Sequence, residues 1–234
     1  MSNETEIKTA SSLPEGVDPF ALKDCALIAI ATGKQGMTLK ELRDNLANIN
    51  PGSIYHHFWG GLLEPRFEER EYNNDFASWA RRGLHDDKLA ERLAMVDPNF
   101  YSDLEDLRQE LLDIIEERLD ESEYLPWMLA TEPFEFIRAQ IVVFDTDLRV
   151  ERPEQLGELM PNLSTSSIFY HFIDARRRLS DRSDDFSFWL ASFNGLYSEL
   201  STQLADIDPY FETLTELRQQ LTVIFQNCCL GVNQ

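Results

Sequence analysis

The chain has 234 residues, 43% of them hydrophobic, and a formal net charge of −21 from 42 acidic and 21 basic residues. That length suffices for two compact domains or one pseudo-symmetric domain, and such an excess of acid repels phosphate backbones and anionic membranes. No stretch of about eighteen apolar residues is present, so no segment is expected to span a membrane. The first residues lack the basic-then-apolar pattern of a secretion signal. The three cysteines (Cys25 and the adjacent Cys228 and Cys229) suit no disulfide framework. A reduced cytoplasm is therefore the expected location.

In chain order, residues 1–17 form a polar lead and are expected to be disordered. A first helical repeat is expected over 18–123, a packed aromatic joint over 124–131, and a second repeat over 132–234. The repeat is written in the residues. Ser53-Ile54-Tyr55-His56-His57-Phe58 returns as Ser167-Ile168-Phe169-Tyr170-His171-Phe172, and Asp75-Phe76-Ala77-Ser78-Trp79 returns as Asp185-Phe186-Ser187-Phe188-Trp189, at offsets of 114 and 110. Leu39, Leu42, Leu46 and Ile49 carry the spacing of one buried helical face, as do Leu156, Met160 and Leu163. Leu104, Leu107, Leu111, Ile114 and Ile115 predict a longer amphipathic helix, echoed by Leu214, Leu217, Leu221, Ile224 and Phe225. Capping boxes open both, Ser102 with Glu105 and Thr213 with Glu216, just after the helix-breaking pairs Asp97-Pro98 and Asp208-Pro209. Ala26–Ile30 reads as helix; Ile141–Phe144 is β-branched enough for a strand, but a shared fold for both copies favours helix there too. The fold expected is all-α: two tandem helical-bundle units, each opening with a tri-helical helix-turn-helix-like segment.

The two Ser-Ile-aromatic segments carry the most distinctive chemistry. With the helix before it, Gly52–Phe58 resembles the recognition-helix core of tetracycline-repressor-type regulators. That resemblance implies Ser53, Tyr55 and His56 facing nucleic acid, with Ile54 and Phe58 buried. Phosphate binding needs clustered Lys and Arg, and the first copy instead continues Trp59-Gly60-Gly61; only the second offers Arg176, Arg177, Arg178 and Arg182. Alternatively, His57 and His171 with Asp75 or Asp185 supply a mixed nitrogen and oxygen donor set for a metal. His56 and His57 point about 100° apart on a helix and do not chelate one ion as a pair. The competing reading is a buried His bonded to the backbone, at equivalent places in the two copies. Asp75 and Asp185 are expected near helix caps. Arg108 and Arg218 suggest a structural ion pair, with an Asp of the Asp-Phe motif as candidate partner, or an anion site. No glycine-rich phosphate loop and no Gly-x-Ser-x-Gly elbow occurs.

From about residue 18 to 230, both copies resemble a bacterial domain family without an assigned activity, marked by Ser-Ile-aromatic-x-His-Phe, Asp-Phe-x-x-Trp, Asp-Pro and a Leu-Arg helix. The resemblance implies a fold unit and no mechanism. The expected function is a non-catalytic module that binds another protein through acidic and Arg-bearing helical faces, with no cofactor. Its interaction candidates are Tyr55, His56, His57, Tyr170, His171, Arg108, Arg176, Arg177, Arg178 and Arg218. A DNA-binding regulator and a metal-dependent enzyme using His57, His171, Asp75 and Asp185 are the alternatives.

Overall fold

The computed structural model describes residues 16–63, 71–210 and 212–231. Most of the expected polar lead lies outside that set, as do the side chains of Cys228 and Cys229. Two strands of 17 residues each, β1 (Phe20–Gly36) and β2 (Phe134–Val150), pair antiparallel as a two-stranded sheet. The fold is therefore mixed α and β, which corrects the all-α expectation. It also removes the tri-helical opening, because the segment expected as its first helix is β1.

The physical reason lies at the ends of the strands. Phe134 and Phe136 are both buried and their rings meet at 4.8 Å, while Glu135 between them is exposed. On a helix two residues apart would point roughly 200° from each other; a strand puts them on one face. The same alternation buries Phe20 and Leu22 around a half-buried Ala21. Both strands carry the same local feature at matching places. The Thr32 hydroxyl donates to the Phe136 carbonyl (2.5 Å) and the Thr146 hydroxyl to that of Leu22 (2.6 Å). The next residue in each, Gly33 at φ 73° and Asp147 at φ 61°, is left-handed, a conformation open to glycine and tolerated by Asp.

The chain divides into two compact units, Ala26–Val142 and Met1–Cys25 with Val143–Gln234. Each strand thus begins in one unit and ends in the other. In the first unit α1 (Leu39–Leu46), α2 (Pro51–Trp59), α3 (Asp75–Arg82), α4 (Asp87–Ala94) and α5 (Leu104–Asp120) surround a core of Leu42, Leu46, Ile54, Phe58, Phe76 and Leu111. β2 adds Phe134 and Phe136 to it. Thr38, Asn50, Asn74, Asp86 and Asp103 cap the five helices in turn. Asp103, accepting from the Glu105 and Asp106 amides, replaces the expected Ser102.

The other unit holds α6 (Pro153–Leu159), α7 (Thr165–Ile168), a π-helical turn at Phe169–Asp174, α8 (Ala175–Arg178), α9 (Asp185–Ala191), α10 (Ser198–Ala205) and α11 (Leu214–Gly231). Its core is Leu156, Met160, Ile168, Phe172, Phe186, Leu217 and Phe225, completed by Phe20 and Leu22 of β1. The Thr213–Glu216 box before α11 forms in both directions, at 2.9 and 3.2 Å. Among the described residues, no helix is long and apolar enough to cross a membrane.

Candidate functional site

In the first unit, α2 presents Ser53 and His57 to the backbone of one residue of β2. The Ile137 amide donates to His57 Nε2 (3.3 Å), and the Ser53 hydroxyl donates to the Ile137 carbonyl (2.8 Å). With Nε2 accepting, the ring proton sits on Nδ1, which faces Asp75 Oδ2 at 3.0 Å. Asn74 takes the cap of α3 by accepting from the Ala77 amide (2.9 Å), which leaves the Asp75 carboxylate to orient the imidazole. One turn further, Trp79 Nε1 donates to the Glu132 carbonyl (2.8 Å). Phe134 then lies stacked on Phe76 at 5.0 Å and tilted against the His57 ring at 4.7 Å.

The second unit repeats this set residue for residue. The Lys23 amide of β1 donates to His171 Nε2 (2.8 Å), the Ser167 hydroxyl donates to the Lys23 carbonyl, and His171 Nδ1 meets Asp185 Oδ2 at 2.7 Å. Asp184 caps α9, accepting from the Ser187 amide, and Trp189 Nε1 donates to the Asp18 carbonyl at 3.0 Å. Phe20 sits 5.0 Å from the His171 ring. Ser, His, Asp and Trp, the polar and aromatic marks of the two sequence motifs, together grip one strand. His57 and His171 are 3% and 2% exposed. Neither constellation is a Ser-His-Asp triad, because the imidazole Nε2 accepts from a backbone amide and the serine hydroxyl is turned to a carbonyl.

The expected donor residues are thus brought together as His57 with Asp75 and His171 with Asp185, each pair inside its own unit. His56 adds a further nitrogen beside the first pair: one ligand atom each from His56, His57 and Asp75 lie within 4.8 Å of one another. Gly60 makes room for that ring, since a Cβ there would stand 2.5 Å from His56 Nδ1. Chemistry weighs against a metal. An ion on His57 Nδ1 would move the ring proton to Nε2, where it would face the Ile137 amide, donor against donor.

In the second unit, Tyr170 occupies the place of His56, and Arg178 fills the corner. Its guanidinium lies 4.1 Å from the Tyr170 ring centre and donates to Asp185 Oδ2 (2.9 Å) and Asp174 Oδ2 (2.8 Å). Arg177 also reaches the buried Asp174, at 3.0 Å, and Arg176 lies over Phe172 at 4.6 Å. The arginine run is therefore engaged with its own unit. Tyr55 is buried and stacks on Trp59 at 5.1 Å. The whole of Ser53–Trp59 is buried, so α2 does not present a recognition face. Arg108 takes a different partner from the Asp expected: it donates to the Leu46 and Ile49 carbonyls that close α1, and to Glu105. Arg218 likewise donates to the Leu163 carbonyl (2.9 Å).

Cys25 and Asp184 are among the groups whose acidity is shifted. Burial pushes the Cys25 thiol up to about 12, helped by Asp24, and its Sγ lies 3.3 Å from the Ser166 carbonyl; it is a protonated packing residue. Burial also raises the Asp184 carboxyl above its ordinary value, against two hydrogen bonds from Ser187.

Sequence reasoning missed the partner of these motifs, which is strand backbone. The signal was Phe134-x-Phe136 and Phe20-x-Leu22. The joint over 124–131, expected to be packed, is packed only in part. Leu125 is buried, but Tyr124, Trp127 and Leu129 are 81%, 78% and 73% exposed. Trp127 is the one exposed tryptophan of four.

These features define a class: paired helical units, each sealed by a strand held on a His–Asp pair. The chain belongs to the family of unknown function DUF5752, whose model matches residues 17–226. It is similar in structure to OrfY from Thermoproteus tenax, with a TM-score of 0.78 and 27% identity over 93% of this chain and 97% of that one. No curated protein matches the chain.

Proposed function

We propose that this chain is a protein-binding module, built by internal duplication and working in a reducing cytoplasm. The observation that carries the reading is the run Tyr124, Trp127 and Leu129, three large apolar side chains held out from a fixed turn. The turn is anchored: Leu125 packs inward, the Trp127 amide donates to the Tyr124 carbonyl (3.1 Å), and the Ala130 amide donates to that of Met37 (2.7 Å). Ordered aromatic side chains left in water are the usual anchors of protein interfaces. The duplication is supported by the two strand grips, whose Ser, His and strand residues match at an offset of 114. The Arg-bearing face has no part in this reading, since Arg177 and Arg178 serve Asp174 and Asp185.

A photo-crosslinking residue at position 127, compared with one at the exposed Glu199 on α10, tests the proposal in native lysate. The expected result is a discrete protein adduct from position 127 alone. Identical adduct patterns from both positions, or none from 127, would overturn it.

A further inference from the structure

The joint lies in a strongly acidic stretch of the chain. Residues 116–135 hold seven acids against one base, Arg118. Arg118 is already bound to Asp86 (2.9 Å) and to Glu121. Glu116, Glu117 and Glu121 have basic partners in Arg43, Arg92 and Lys88. Among the described residues, Asp120, Glu123, Glu132 and Glu135 have none, and all four are exposed. They bracket the aromatic turn in sequence, two before it and two after.

We infer that the Tyr124–Leu129 turn, with Asp120, Glu123, Glu132 and Glu135, docks a basic amphipathic segment of a partner protein; this rests on the protein-binding reading above. Apolar side chains of such a segment would cover Trp127, Tyr124 and Leu129, and its Lys or Arg would meet carboxylates that no basic group among the described residues neutralises. A second copy of the chain is a poor occupant, because both would carry a net charge of −21 and the same acidic rim. Anionic surfaces are repelled for the same reason.

The test uses the full chain and a synthetic 18-residue helical peptide of Leu and Lys, with a Leu and Glu peptide of the same pattern as control. Because Trp59, Trp79 and Trp189 are buried, fluorescence change on titration reports Trp127. The expected result is a blue shift with the Lys peptide only, weakening several-fold as salt is raised from about 50 to 300 mM. The triple variant Tyr124→Ala, Trp127→Ala, Leu129→Ala, followed by calorimetry, is expected to lose at least about tenfold in affinity. The variant Asp120→Asn, Glu123→Gln, Glu132→Gln, Glu135→Gln keeps the fluorophore and is expected to lose about as much. Unchanged affinity in the triple variant would mean a diffuse charge effect, and equal binding of the Glu peptide a purely apolar one; either overturns the inference. So does a dimer in light scattering that the triple variant abolishes. A discrete adduct from position 127 without Lys-peptide binding removes the basic partner and leaves the protein-binding reading intact; absence of both removes both.

Discussion

At the scale of single residues, the two units carry a built-in comparison at the cap of the helix that orients each histidine. Asn74 caps α3 as a neutral amide and also donates to the Leu93 carbonyl (2.9 Å). Asp184 caps α9 as a buried carboxyl whose acidity burial has weakened. A folded-state value above the unfolded one means that ionisation opposes folding. The cost is full above the raised value and vanishes as pH falls below the ordinary carboxylate range, where both states are protonated. Asp184→Asn is therefore expected to raise stability at pH 7 by about 1 kcal/mol and to leave it unchanged near pH 3. Urea unfolding at the two pH values measures the difference; a variant less stable at pH 7 would refute the role given to burial.

At the scale of elements, the strand grip makes a sharper claim than burial alone. His171 satisfies the Lys23 amide and is itself held by Asp185, so its loss leaves a half-buried backbone donor and a cavity together. His171→Ala is expected to cost about 2–4 kcal/mol, and the Lys23 amide should exchange with deuterium at least tenfold faster. A helix-packing role alone would leave that amide protected. The left-handed residue in β1 gives an independent check. At Gly33 a side chain meets open space, so Gly33→Ala isolates the left-handed backbone, and about 1 kcal/mol of destabilisation is expected in thermal unfolding. The helices were legible because their spacing and caps are local: Leu39, Leu42 and Leu46 point inward, and Thr213 with Glu216 forms its box. The strands were not, because an Ala-Leu-Ile-Ala-Ile run suits either state and only its pairing across more than a hundred residues decides. The His and Asp positions were legible as a recurring pair; that their task is to hold backbone was hidden until the strand was in place.

At the scale of the whole molecule, sequence order and packing order disagree. Phe20 and Leu22 come first among the core residues, yet they complete the unit formed by residues 143–234. Phe134 and Phe136 come after α5 and complete the unit formed by residues 26–142. Neither unit closes its core from one continuous half of the sequence read at the Tyr124 joint. Removing residues 1–25 should therefore leave the first unit's core intact and open the other. Burial of Phe20 and Leu22 contributes about 3–6 kcal/mol, and the His171 acceptor and the Trp189 indole would lose their partners at Lys23 and Asp18 as well. Amide exchange by mass spectrometry separates the outcomes. The truncated chain should lose protection across α9 and α11 while α1, α3 and α5 retain it. Uniform loss would instead mean that the chain unfolds as one cooperative body, and uniform retention that β1 contributes nothing to the core it enters.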